Sequence, residues 1–201
     1  MTIESVVSAQ HTFFNTNTTK DLSFRKEALE KLLEAIEENK DAVYNALRAD
    51  LGKSEPESYM TEVGLVIREL KTAISSLHKW AKPVHHKTPL SHFPAKSYVL
   101  SEPYGVVLIL APWNYPFFLS MSPLIGAIAA GNCVVMKTSR SSSHTSAVIS
   151  TIINNTFSSS YIHAVDSSCD YNELLSFSYD YIFLPEVNVS DVLSCDMQVK
   201  H

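Results

Sequence analysis

The sequence predicts an α/β protein: N-terminal helices, then a doubly wound parallel sheet that stops early. Between Asp21 and Ala81 apolar residues recur every three or four positions. Between Tyr98 and Leu184 short apolar runs alternate with helical segments. Two of these runs, Val106–Leu110 and Cys133–Met136, carry no polar residue, as expected of strands buried on both faces. Of the 201 residues 45% are apolar and 18% charged, enough apolar side chain for a sizeable core.

Asp21 is placed to cap a helix bearing Leu22, Leu29, Leu32, Leu33 and Ile36. Asn39 to Asp41 interrupts it. Asp41 is placed to cap a second helix with Val43, Ala46 and Leu47, ended by Gly52. A third helix is predicted from Pro56 to Ala81, stopped by Pro83. Its Met60, Val63, Ile67, Leu70, Ile74, Leu77 and Ala81 have heptad spacing, which suits either a coiled-coil partner or a domain core. A second stripe of Tyr59, Val66, Ala73 and Trp80 favours the core. Lys82 to Ser97, rich in Pro, His and Ser, reads as a linker or extended arm.

Tyr98–Leu100 is a short strand candidate. Val106–Leu110, a loop over Ala111–Pro116, a helix over Phe117–Ala130 closed by Gly131–Asn132, and Cys133–Met136 form one β-α-β unit with a right-handed crossover. Ser143 is placed to cap a helix from His144 to Asn155. Tyr161–Val165 is a strand, Asn172–Ser176 a helical turn, and Tyr181–Leu184 a further strand. The organisation is a helical segment and arm over residues 1–97, an α/β region over 98–184, and a weakly periodic tail over 185–201.

Sixteen Lys and Arg against twenty-one Asp and Glu give a net charge of −5. Without a basic run this argues against nucleic-acid binding. Cys133, Cys169 and Cys195 make neither a disulfide framework nor a C-x-x-C site. His78, His85, His86 and His92 lie close in sequence, but offer no helical i,i+4 pair and no Cys partner, so no metal site is expected. The first residues lack the order of a signal peptide, and no apolar run is long enough for a bilayer. A cytoplasmic chain is expected, with no membrane association.

Ligands of open parallel sheets bind beyond the carboxyl ends of the strands. After the first buried strand come Pro112-Trp113-Asn114-Tyr115-Pro116. The Asn114 amide there suits either an oxyanion donor or a turn residue bonding its own backbone. After the next strand come Lys137, Thr138, Ser139 and Arg140, suited either to ribose and phosphate oxygens or to a solvated strand end. The sequence has no G-x-G-x-x-G, no P-loop and no G-x-S-x-G.

Glu102-Pro103-Tyr104-Gly105 with the Pro112–Pro116 block, Gly126-Ala127-Ile128-Ala129-Ala130-Gly131-Asn132 and Val134–Lys137 resembles the aldehyde dehydrogenase superfamily. Asp50-Leu51-Gly52-Lys53 and Tyr59–Val66 resemble its class 3 branch, which acts on fatty and aromatic aldehydes. The resemblance implies the N-terminal helices and an incomplete Rossmann-like sheet of the aldehyde dehydrogenase fold. It implies NAD or NADP as cofactor and oxidation of an aldehyde to a carboxylate. A cysteine attacks the carbonyl, hydride leaves to the cofactor, and a glutamate activates the hydrolytic water. It further implies that Asn114 matches the oxyanion-hole asparagine, Trp113 a residue lining the cofactor cleft, and Lys137 the lysine bonding the adenosine ribose. Ser139 and Arg140 stand in the same cofactor motif.

Three departures shape the expectations. The family's K-P-S-E reads Lys137-Thr138-Ser139-Arg140 here, and arginine in place of the acid suits a 2′-phosphate. The glycine loop expected after Phe183 carries Glu186 and Asp191 in place of its glycines, which opposes a pyrophosphate. No cysteine matches the nucleophile, and the glutamate base is missing. The expectation is a truncated relative, inactive alone and binding dinucleotide weakly. The alternatives are an interaction module pairing with itself or a full-length homologue, or one half of a split enzyme. The surfaces expected to pair are the sheet edge and the helix over Pro56–Ala81.

Overall fold

The computed structural model describes residues 2–184. The segment 185–201, with Glu186, Asp191 and Cys195, lies outside the described residues. Helix α1 (Ile3–Phe14) opens the chain, a helix the periodicity did not predict. Helices α2 (Leu22–Glu38) and α3 (Lys40–Leu51) follow. The Asp21 carboxylate caps α2 by accepting from the Ser23 and Phe24 amides at 2.6 and 3.2 Å. The buried face of α2 is Arg25, Ala28, Leu29, Leu32 and Ile36. Each fully buried Leu or Ile there contributes about 1.5–3 kcal/mol relative to exposure. Asp41 does not cap α3. It lies in the first turn, and Asn39 holds the cap position while its side chain bonds back to the Ala35 carbonyl.

The single helix predicted from Pro56 is instead α4 (Glu55–Ser58), a π-turn over Tyr59–Val63, and α5 (Gly64–Trp80). The wider turn rotates the following face. The buried stripe is Val63, Val66, Leu70, Ala73 and Leu77, whereas Met60 is 68% exposed. That stripe packs on α2 and α6, so the heptad spacing serves a core.

The arm is not structureless. Strands β1 (Val84–His86) and β2 (Ser97–Val99) pair antiparallel, with Val84 opposite Val99, so pairing starts before the expected Tyr98. The main sheet holds β3 (Val106–Leu110), β4 (Cys133–Lys137), β5 (Ile162–Val165) and β6 (Tyr181–Phe183), all parallel, in the order β5-β4-β3-β6. Every residue of β3 and β4 is buried, as their apolar runs require. Edge strand β6 is only partly buried, so it is not covered on both faces.

Helices α6 (Pro116–Ala130) and α7 (Ser143–Thr156) are the crossovers, and α8 (Tyr171–Leu175) is a single turn before β6. Helix α1 lies against β3, β4 and β5, with Gln10 donating to the Val134 carbonyl at 2.9 Å. Among the described residues no helix is long and apolar enough to cross a membrane, and no group of three or more His, Cys, Asp or Glu is arranged to hold a metal.

Ser143 does not cap α7. Ser142 holds the cap position without a side-chain bond, and Asp50 at the end of α3 does the work. Its carboxylate accepts from the His144 and Thr145 amides at 3.2 and 2.7 Å and from the Thr145 hydroxyl at 2.7 Å. Burial alone would raise the Asp50 carboxyl, but these hydrogen bonds outweigh it and hold it below the usual carboxylate range. A carboxyl depressed in the folded state adds stability above its unfolded pKa and loses it as the pH falls through the folded value. Asp50→Asn is therefore expected to cost about 2 kcal/mol near neutral pH. The difference from the parent chain should shrink below about pH 4. Urea unfolding at pH 7 and pH 3.5 checks this; a difference independent of pH contradicts it.

Candidate functional site

Sheet order places the site. The chain runs β3 to β4 to β5 in one direction, then returns to the other side of β3 for β6. The crevice of such a sheet opens at the carboxyl ends of the strands flanking that reversal. The loop leaving β3 there is Ala111–Tyr115. Its start is fixed, because the Ala111 amide donates to the Lys137 carbonyl at 2.9 Å and Ala111 is buried. Its tip is open: Trp113 is 56% exposed, and Asn114 is exposed beside it.

Asn114 Oδ1 accepts from the Tyr115 amide at 3.1 Å. This is the turn role, and it leaves the other role possible. Among the described residues Nδ2 donates to nothing, so an amide donor remains at the mouth of the crevice.

The end of β4 supplies the second group. Lys137 is 1% exposed. Its Nζ donates to the Ser167 carbonyl at 3.0 Å, and lies 4.1 Å from the centre of the Tyr171 ring. Burial, and then the neighbouring Arg140, pull its pKa below the ordinary lysine value. Arg140 is exposed and donates from Nε to the Ser167 carbonyl at 3.3 Å and from Nη2 to the Ser168 carbonyl. Ser139 is spent on structure: its hydroxyl accepts from the Ser141 amide at 3.2 Å. Next to Lys137, the buried Thr138 Oγ1 has no partner among the described residues. Trp113, Asn114, Lys137 and Arg140 thus share one rim of the sheet, on adjacent strand ends.

Sequence reasoning gave no role to Glu62 and Lys53, although both stand in its quoted motifs. Glu62 is fully buried. Its Oε2 accepts from the Phe117 and Phe118 amides at 2.8 and 3.1 Å, and its Oε1 meets Lys53 Nζ at 2.5 Å. Lys53 Nζ also lies 4.2 Å from the centre of the Tyr115 ring. The carboxylate therefore holds the free amides that begin α6, where the helix dipole favours negative charge. At the other end of α6, buried Arg25 donates to the Ala129 carbonyl at 3.2 Å and to the Thr19 carbonyl at 2.7 Å. The signal available beforehand was a lone Glu inside an apolar helical stripe.

Neither described cysteine is an activated thiol beside Asn114. Cys133 pairs with Val106 at the opposite end of β3, roughly 13 Å of strand away. Burial pushes its thiol up to about 12. Cys169 lies beyond β5, and burial with nearby Glu173 raises its pKa as well.

A parallel sheet with its reversal point at an amide-bearing loop, and with cations at the next strand end, defines a Rossmann-like α/β fold. The Aldehyde dehydrogenase family profile matches residues 1–166, and the chain belongs to that family. It is 46% identical over 172 residues to 4,4'-diaponeurosporen-aldehyde dehydrogenase of Staphylococcus aureus, covering 85% of this chain and 38% of that protein. It is 40% identical over 183 residues to aldehyde dehydrogenase family 3 member F1 of Arabidopsis thaliana, covering 90% and 38%. The fold superimposes on the substrate-bound state of Staphylococcus aureus AldH with a TM-score of 0.91 and 42% identity, over 96% of this chain and 43% of that one. A succinic semialdehyde dehydrogenase of Streptococcus pyogenes solved with NADP+ shares the fold, at a TM-score of 0.74 and 18% identity, over 87% and 37% of the two chains. The class 3 resemblance holds, and the chain spans about 38% of the length of these curated relatives.

Proposed function

We propose that this chain supplies the oxyanion-donor loop and the adenosine-side contacts for NAD(P)-dependent oxidation of an aldehyde to a carboxylate. The observation that carries the reading is the pair of adjacent strand ends, β3 followed by Asn114 and β4 ending in Lys137, next to the sheet's reversal between β3 and β6. The unengaged Asn114 Nδ2 is suited to donate to the carbonyl oxygen as negative charge develops on it. The dinucleotide, when bound, accepts the hydride. The residues offer polar groups to its ribose: Lys137 Nζ, which donates to the Thr138 and Ser167 carbonyls, and the buried Thr138 hydroxyl, which has no partner among the described residues. Trp113 offers an exposed ring to the cleft. The chain works in the cytoplasm on this reading.

The same reading holds that the 201-residue chain turns over no aldehyde alone, because no described thiol is activated beside Asn114. Incubation with fatty and aromatic aldehydes and either dinucleotide should give no reduced cofactor. Turnover that tracks the protein and vanishes in Asn114→Ala overturns it.

Cofactor choice falls to Arg140. Its guanidinium keeps unused N–H donors facing solvent beside Lys137, which suits a ribose 2′-phosphate. One charge-assisted bond supports about a tenfold preference for NADP over NAD. Titration calorimetry should show that order, and Arg140→Glu should reverse it. Equal affinity in the parent chain contradicts the assignment.

A second reading has its own observation. The arm exposes Val84, Tyr98, Val99 and Leu100, each at least half exposed. Beside edge strand β6, a groove of about 290 Å³ is lined by Tyr104, Ile109, Ala130, Tyr181 and Phe183. These surfaces favour association of the chain with itself or with a full-length homologue. Light scattering that returns a monodisperse 22.4 kDa species with a sharp thermal transition excludes this.

A further inference from the structure

We infer that Glu62, neutralised by Lys53, is the positioning residue that sets the Asn114 amide; the inference rests on the aldehyde-oxidation reading of that amide. An oxyanion donor contributes in proportion to how rigidly it is held before charge develops, with a tolerance of about 0.5 Å. The buried Pro112 and Pro116 restrict the loop backbone, but no long-range hydrogen bond among the described residues holds Asn114 itself. Its one hydrogen bond comes from the next residue, so it cannot fix the loop relative to the sheet.

The loop hangs between two anchors. On the β3 side the Ala111 amide is held by the Lys137 carbonyl. On the α6 side, the Phe117 and Phe118 amides close on one oxygen of Glu62. Only Pro112 to Pro116 separate the two anchors, so the second one determines where residues 113–115 stand.

The anchor uses both carboxylate oxygens. Two amide donors share Oε2, while Oε1 is taken by the Lys53 ammonium. A glutamine at this position carries no net charge for Lys53 and presents an NH2 group on one side. Lys53 has a second contact, over the Tyr115 ring, so one ammonium touches both the anchor and the loop residue next to Asn114. Lys53 lies in the loop before α4 and Glu62 in the π-turn, and the Phe117 and Phe118 amides on Glu62 pin this turn against α6.

The test uses the full chain and needs no turnover. The chain has two tryptophans, Trp80 and Trp113, so a Trp80→Phe background leaves Trp113 as reporter of the loop. Glu62→Gln is expected to raise amide exchange at Phe117 and Phe118 by about tenfold or more and to lower Trp113 anisotropy. Exchange at Leu108 and Val135 in the sheet should stay unchanged. Lys53→Arg, which keeps the cation, should leave both readouts as in the parent. A uniform rise across loop and sheet means that Glu62 serves the fold alone and overturns the inference; so does an unchanged loop. If Glu62→Gln does not fold, Glu62→Asp is read by the same two criteria. Failure of the aldehyde reading would appear in the cofactor and turnover assays and leave these signals unmoved, so the two failures are distinguishable.

Discussion

Lys53→Met is expected to destabilise the chain by about 3–5 kcal/mol, because it leaves the Glu62 charge buried and unpaired. Glu62 is fully buried and Lys53 only 9% exposed, so little water reaches the pair to replace the lost ammonium. Small domains are stable by about 5–15 kcal/mol, so this one change consumes a large share. The double variant Lys53→Met with Glu62→Gln should recover part of the loss, since both charges then leave the interior together. It should not recover all of it, because the α6 amides keep only a neutral acceptor. Urea unfolding of the parent, the two single variants and the double variant gives the coupling directly. A single-variant loss below about 1 kcal/mol shows that solvent compensates the carboxylate and contradicts the burial argument.

Gly105→Ala is expected to cost about 3 kcal/mol or more, from two sources. Gly105 has φ +138°, a conformation that L side chains rarely adopt, worth about 1–3 kcal/mol of strain. A Cβ there would also collide with the Asp180 carboxylate, its Cγ 2.7 Å away. That carboxylate accepts from the Val106 amide at 2.7 Å, and the Asp180 amide donates to the Val106 carbonyl at 2.9 Å. Displacing it loosens the entry of β6 onto β3. Asp180→Ala removes the carboxylate without backbone strain, and is expected to cost less, about 1–2 kcal/mol. Thermal unfolding of the two variants separates strain from hydrogen bonding. Equal losses would mean that the glycine conformation itself contributes nothing.

Legibility in the sequence followed the range of the interactions. Val106–Leu110 and Cys133–Met136 were readable as buried strands because burial on both faces demands apolar side chains at every position. Asp21 was readable as a cap because its acceptor serves amides two and three residues away. The family was readable because its motifs, such as the P-W-N-Y-P block, are contiguous in the chain. Helix α1 was missed, and it meets the sheet through residues such as Gln10, whose partner Val134 is far along the chain.

The sequence by itself therefore determined the α/β class, the strands of the parallel sheet, the crossover helices and the family. Tertiary structure alone decided where the charges go. Asp50 caps a helix that begins more than ninety residues later, and Glu62 holds the helix after Asn114 across a gap of 55 residues. It also decided that Lys137 and Arg140 close on Ser167 and Ser168. The physical reason is common to all of these. Burying a charge is favourable only when a partner reaches it, and which partner reaches it is set by packing between distant segments, not by the neighbours in the chain.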